Sequence, residues 1–359
     1  MLVFDDRAGD AEPRQAFELM RMRLREAAAQ PPGIVRHGAL VAELVAGGEL
    51  VQGLADAAFE RSRLERRTPA ERAAMRSLCR IARAVRESWD SGFATYTPLP
   101  DEMVSDLLRL ALPARVRAKP AEGFAFYSLY PESYLEAARA AEWGLPPRVV
   151  GVRSIGVPLA AVVADALRSA VPMTLRPIPA GETRIVRASP GVTAELLRIR
   201  EAGFAVVDEG PGWSGTSFGA VGDLLEDEGV PLSRIHFYCS HLGRLPDRAS
   251  ARHRARWSIA KRHAVDPIEL IVHRPRRPEH RLAAWIADLI GPVEEPLQDL
   301  SQGAVRGASW MAKEERRCRR AGVFWSGASF SPRPGAGAGW SSSRAWERAA
   351  SASSRGPAC

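Results

Sequence analysis

Residues 204–217 read Phe-Ala-Val-Val-Asp-Glu-Gly-Pro-Gly-Trp-Ser-Gly-Thr-Ser, and they restrict the fold more than any other stretch of the chain. A short, wholly apolar run such as 204–207 makes a strand buried on both faces, which means a parallel sheet with helices above and below it. Two acids, Asp208 and Glu209, end the run, and a turn of small and hydroxyl-bearing residues follows at once. Beyond it Phe218, Val221, Leu224 and Leu225 fall on one face of a helix. Strand, acid pair, small-residue loop and helix make the layout of a site for phosphate and sugar hydroxyls at the carboxyl end of a parallel strand.

Adjacent carboxylates at a strand tip are costly unless they find partners, because like charges repel and desolvation penalises both. A ribose diol would supply hydroxyl donors to Asp208 and Glu209, and Mg2+ shared with the ligand, reached through those hydroxyls or water, would neutralise them. Gly210, Gly212 and Gly215 permit tight turns and bring backbone N–H groups close to a phosphate. Ser214, Thr216 and Ser217 add hydroxyls at a helix start, whose positive dipole end favours an anion. The plain alternative is an ordinary βα loop. A hydrolase nucleophile elbow also competes, but Gly212-Trp213-Ser214-Gly215-Thr216 lacks the closing glycine of G-x-S-x-G.

The same alternation spans about 120 to 245. Candidate strands lie at 124–129, 148–153, 172–176, 204–208 and 234–239, with helical stretches at 132–143, 157–169, 192–201 and 216–229 between them. Such βαβα order predicts an α/β domain with a parallel sheet flanked by helices. Within it, Val149-Val150-Gly151-Val152-Arg153-Ser154-Ile155-Gly156-Val157-Pro158-Leu159-Ala160 is a second strand, tight loop and helix start. N–H groups from Arg153 to Gly156, including Ser154 and Ile155, together with the Arg153 guanidinium, suit a pyrophosphate. Between the two motifs, residues 174–187 form a loop whose Arg184 and Arg187 are either solvated cations or groups delivered to that pyrophosphate. The aromatics of 124–134 read as core, with Tyr127 or Tyr130 open to stacking on a base.

Around this domain, residues 1–118 read as a helical N-terminal region, with Thr68-Pro69-Ala70-Glu71 as a capping box. Residues 246–302 read as a helical extension, where Leu282, Trp285, Ile286 and Leu289 make a stripe ending at Gly291-Pro292. Residues 303–359 contain no Leu, Ile, Tyr or Asp but four of the nine tryptophans, so they are expected to be disordered or an out-of-frame tail. Four scattered cysteines, at 79, 239, 318 and 359, argue against a zinc site or a disulfide framework. The net charge of +8 is almost all arginine and is spread along the chain, which argues against a nucleic-acid footprint. No uninterrupted apolar run approaches the roughly 18 residues of a membrane span, and the acidic N-terminus is unlike a signal peptide, so a cytoplasmic protein with no membrane partner is expected.

These motifs resemble those of the type I phosphoribosyltransferases, in particular the phosphoribosyltransferases of bacterial tellurite-resistance (ter) stress operons. The strings Arg153-Ser154-Ile155-Gly156 and Asp208-Glu209-Gly210-Pro211-Gly212-Trp213-Ser214-Gly215 carry the resemblance, which covers about 120–245. It implies a type I fold that binds 5-phosphoribosyl-1-pyrophosphate (PRPP), with Asp208 and Glu209 on the ribose, Ser214–Ser217 on the 5-phosphate and Arg153–Gly156 on the pyrophosphate. It further implies Mg2+-dependent transfer of the phosphoribosyl group to a small-molecule acceptor, with Arg153, Arg184 and Arg187 stabilising the departing pyrophosphate. Two departures stand out. The 208–217 loop is one residue longer than the family's, and 210–213 lack the acid that purine-salvage enzymes place there. A PRPP-sensing regulator that binds RNA, and a ribose-phosphate hydrolase, remain alternatives. The acceptor stays open, as does the choice between a substrate hood and a homodimer surface for the N-terminal region.

Overall fold

A computed structural model describes residues 9–119, 124, 129–199, 201–212 and 214–291. The chain begins with β1 (Gly9–Ala11), α1 (Pro13–Ala29), α2 (Ile34–Ser62), α3 (Pro69–Asp90), α4 (Glu102–Leu108) and β2 (Val116–Ala118), which pairs antiparallel with β1. It continues through α5 (Pro131–Arg139), β3 (Arg148–Val152), α6 (Gly156–Ala166), β4 (Met173–Leu175) and an antiparallel hairpin of β5 (Ile178–Ala180) and β6 (Thr183–Ile185). Then come α7 (Pro190–Leu196), β7 (Phe204–Val207), α8 (Thr216–Asp227), β8 (Ile235–Tyr238), α9 (Ala251–Ile259), β9 (Lys261–His263) and α10 (Leu282–Ile290).

Five strands form one parallel sheet in the order β4-β3-β7-β8-β9. The chain leaves β3 toward β4 on one side and returns to β7 on the other. The strand order therefore reverses between β3 and β7, where open α/β sheets bind ligands beyond their carboxyl ends. Every residue of β3, β7 and β8 is buried, as two-sided coverage requires. On one face Val149, Ala205, Val207 and Tyr238 pack against Tyr134 and Ala137 of α5 and Leu159 and Val163 of α6. On the other, Val150, Val206 and Phe237 meet Phe218 and Val221 of α8 and Trp257 of α9.

The N-terminal helices add a further layer outside α6. Val157, Ala161 and Val162 of α6 share one apolar core with Leu44 and Val51 of α2, Met75, Leu78 and Ile81 of α3, and Trp285 of α10. Gly48 lets α2 approach this closely, since a Cβ there would stand 2.6 Å from Pro158. Length and composition alone would allow α2 to cross a membrane, but 67% of its apolar window is buried inside the protein, as in a core helix. The N-cap half of the box forms, Thr68 accepting the Glu71 N–H at 3.1 Å with Pro69 opening α3, while the Glu71 carboxylate pairs with Arg67 at 3.0 Å.

Four of the five expected strands form within a residue or two of their expected bounds. The fifth does not form where it was read. Phe124 is helical, Leu129 lies outside any strand, and residues 125–128 are outside the described part. The fifth parallel strand is instead β9, within the stretch read as a helical extension. Its sequence, Lys-Arg-His, has no apolar run because it is an edge strand held mainly by its ladder to β8. The 303–359 tail lies outside the described residues.

The same edge carries an acid-sensitive contact. His236 of β8 meets His263 of β9 at 3.0 Å between ring nitrogens, under the Trp143 ring at 3.9 Å. Burial, then the neighbouring His263, holds His236 down at about 4. A histidine depressed in the folded state stays neutral while the unfolded chain takes up a proton, so its stabilising contribution is whole above about pH 6.5 and is lost as pH falls toward about 4. The urea midpoint of the wild type should therefore fall relative to that of His236→Gln between about pH 7 and about pH 4.5.

Candidate functional site

β7 delivers the acid pair to the sheet's switch point. Asp208 N–H donates to Tyr238 O at 3.2 Å, extending the ladder one residue, and Glu209 N–H turns back onto Asp208 Oδ1 at 2.9 Å. The Tyr134 hydroxyl of α5 donates to the carbonyls of Asp208 at 2.8 Å and Glu209 at 3.2 Å, and Ser240 N–H donates to the latter at 2.8 Å. The backbone groups of Asp208 and Glu209 are thus held, but the Glu209 carboxylate is not. Glu209 Oε2 is buried without a hydrogen-bond partner. Burial raises the Asp208 carboxyl well above its usual range, with the Glu209 charge adding to it and Arg184 opposing. Burial likewise pushes Glu209 up, to about 7, against the pull of Lys119. The pair is short of donors and positive charge, the condition that a polyhydroxylated or cationic ligand relieves.

Two helix starts adjoin it. A Cβ on Gly156 would lie 2.3 Å from Val207 O and 3.4 Å from Asp208 Cα, so the first residue of α6 is packed directly on the end of β7. This brings Ser154, Ile155 and Gly156 beside Asp208, with the Arg153–Ser154 peptide bond cis. Neither α6 nor α8 has a side-chain cap, leaving backbone donors at both starts. Gly215 precedes α8 at φ +66°, and a Cβ on it would strike Leu245 at 2.8 Å. Ser214 Oγ and Thr216 Oγ1 are 2.9 Å apart at the same turn, followed by the half-buried Ser217. Gly212 takes φ +58°, and Gly210 lies against Ser240 and His241, whose Nε2 would be 3.3 Å from a Cβ there. Trp213 lies outside the described residues.

The three arginines fare differently. The Arg153 guanidinium, expected to face a pyrophosphate, is buried in an ion pair with Asp56 at 3.0 Å and another with Glu65. Its charge is paired with carboxylates of α2 and of the link after it. Arg184 is exposed on β6, donates to Pro177 O at 3.1 Å, and stands near enough to Asp208 to stabilise its ionised form. Arg187 is exposed beyond the hairpin, and its backbone carbonyl accepts the Glu65 N–H. Tyr130 packs toward Trp285 at 6.3 Å in the N-terminal core rather than at the acid pair, and Tyr127 lies outside the described residues.

Lys119, Tyr134 and His241 belong to the site although no motif marks them. Tyr134 reads as one of the core aromatics of 124–134, and Lys119 precedes the α/β alternation. His241 follows β8 by three residues, so its place at the carboxyl end of a strand beside the switch point is the signal that would have found it. Its Nδ1 accepts the Gly243 N–H at 3.2 Å, and burial lowers its pKa, which favours the neutral ring with its proton on Nε2.

Among the described residues no group of three His, Cys, Asp or Glu side chains converges to hold a metal. Asp208 and Glu209, with the orphaned Oε2, are hard oxygen donors that suit Mg2+ only if ligand oxygens or water complete its octahedron. A cleft of about 790 Å3 lies elsewhere, among Arg83, Arg86, Asp90, Arg139 and Asp165. Its acids and arginines pair with one another, so chemistry favours the acid pair as the candidate site.

Carboxyls raised in the folded state favour it at low pH and disfavour it as pH rises through their folded values. Glu209→Gln should therefore stabilise the ligand-free protein by about 1–3 kcal/mol at about pH 8, less toward pH 5, and Asp208→Asn should act in the same direction, both read by urea denaturation. Gly156→Ala should cost about 3 kcal/mol, because the colliding atom is backbone and cannot rotate away. Comparison with protein-family models, curated proteins and solved structures finds no match to this chain, and its chemistry is read from the site alone.

Proposed function

We propose that the protein binds PRPP and transfers its 5-phosphoribosyl group to a small-molecule acceptor, with Mg2+ and release of pyrophosphate. The observation that carries this reading is the acid pair: a buried and a half-buried carboxylate with raised pKa values, one oxygen unpartnered, between two uncapped helix starts. A ribose diol answers the carboxylates, and a phosphate at each end answers the helix starts. The parallel sheet with its switch point between β3 and β7 is compatible with a type I phosphoribosyltransferase fold.

In this reading Asp208 and Glu209 accept from the 2- and 3-hydroxyls of the ribose, and the turn from Ser214 to Ser217 holds the 5-phosphate. The backbone of Ser154 to Gly156 holds the pyrophosphate, and Arg184 is carried over it on the hairpin. Bound Mg2+ would supply charge neutralisation on the pyrophosphate and the acid pair. Reaction at the anomeric carbon passes through an oxocarbenium-like state, so catalysis rests on positioning and on dispersing the leaving group's charge.

A second reading, a non-catalytic PRPP sensor, draws on one observation. The Arg153 charge is already paired with Asp56 and Glu65. The two readings share binding and separate on turnover. Calorimetry of the full chain should show Mg2+-dependent PRPP binding that is lost in Asp208→Asn/Glu209→Gln, and pyrophosphate release with a panel of acceptors would identify the enzyme. A folded wild-type protein that does not bind PRPP would discard both.

A further inference from the structure

Glu65 lies in the link between α2 and α3, far in sequence from the acid pair, yet its polar groups go to residues surrounding that site. Its carboxylate Oε1 accepts the backbone N–H of Arg176 at 2.8 Å and pairs with the Arg153 guanidinium. Its own N–H donates to Arg187 O at 2.7 Å, and its carbonyl accepts the Ser189 N–H at 3.3 Å, making a parallel bridge opposite Ala188. Arg176 is the residue that leads into the β5–β6 hairpin, and Arg187 to Ser189 lead out of it. One buried residue therefore holds both feet of the hairpin and, through Arg153, the end of β3 where the Ser154–Gly156 loop begins. Asp56 of α2 reinforces the clamp, its Oδ1 lying 3.0 Å from Arg153 Nε and 2.6 Å from Arg176 Nε.

The hairpin itself is different in character. Gly181 to Ile185 are exposed, and β6 runs beside α8 with Arg184 near Asp208. A two-stranded ribbon is marginal alone, so its position is set where its ends are fixed. The structure assigns Glu65 as the positioning residue of this hairpin. Its carboxylate fixes the entry foot and its main chain the exit foot, so that the N-terminal helical layer sets where Arg184 stands near the acid pair. The consequence for ligand affinity rests on the PRPP reading, whereas the clamp does not.

Buried charge-assisted hydrogen bonds of this kind are strong, and removing the carboxylate leaves the Arg153 charge with Asp56 alone. The test uses the full chain, with Glu65→Ala and the conservative Glu65→Gln, which keeps an acceptor for Arg176 N–H. Amide hydrogen exchange in 178–185 should speed up by about tenfold or more in Glu65→Ala and less in Glu65→Gln, with β7 and α3 unchanged. Mg2+-PRPP affinity should fall by about tenfold in Glu65→Ala, with Glu65→Gln between it and the wild type. Wild-type exchange at 178–185 in both folded variants would overturn the clamp, as would an equal loss of protection throughout β7 in both. Faster hairpin exchange in a protein whose wild type does not bind PRPP would support the clamp and overturn the ligand assignment alone.

Discussion

The two-sided burial of β7 sets the conditions for everything at the candidate site. A four-residue strand with no exposed side chain must end abruptly, and Asp208 and Glu209 are placed at that end before the chain can reach solvent. Burial raises both carboxyls, and the turn's carbonyls are taken by Tyr134 and Ser240, so the unmet demand falls on the carboxylate oxygens. Folding holds this demand in place because the rest of the sheet and its helices supply the apolar contacts that outweigh it.

The second constraint is close approach. Gly156 against Val207 and Gly48 against Pro158 are positions where any side chain would collide, and they stack β7, α6 and α2 in series. The layers touch, so the N-terminal helices are continuous with the packing of the site. Ion pairs then cross the same boundary: Asp56 and Glu65 neutralise Arg153 and Arg176 at the carboxyl ends of β3 and β4. Such buried pairs contribute register more than net stability, since desolvation offsets much of their attraction.

The central strands and their following helices were legible in the sequence because each is a continuous apolar run or a 3.6-residue stripe, as at 148–152, 204–207 and 216–227. The acid pair and the small-residue loops were legible for the same reason: they are contiguous in the chain and their chemistry is local. β9 was not, because a three-residue edge strand of Lys, Arg and His carries no periodic signal. Nor was the fate of Arg153. A basic residue beside a phosphate-like loop reads as a ligand cation until the fold shows two carboxylates from another part of the chain already bound to it.

The sequence by itself therefore determined the parallel α/β arrangement, the strand that ends in Asp208 and Glu209, and the turn that follows, all through apolar patterning and short-range geometry. Only the tertiary structure decided which charges are free. It placed Lys119, Tyr134, Arg184 and His241 around the acid pair, withdrew Arg153 into a buried network, and tied the hairpin's feet to Glu65. Charge pairing acts over a few ångströms of space and any distance of chain, so it is settled by which segments the core brings together.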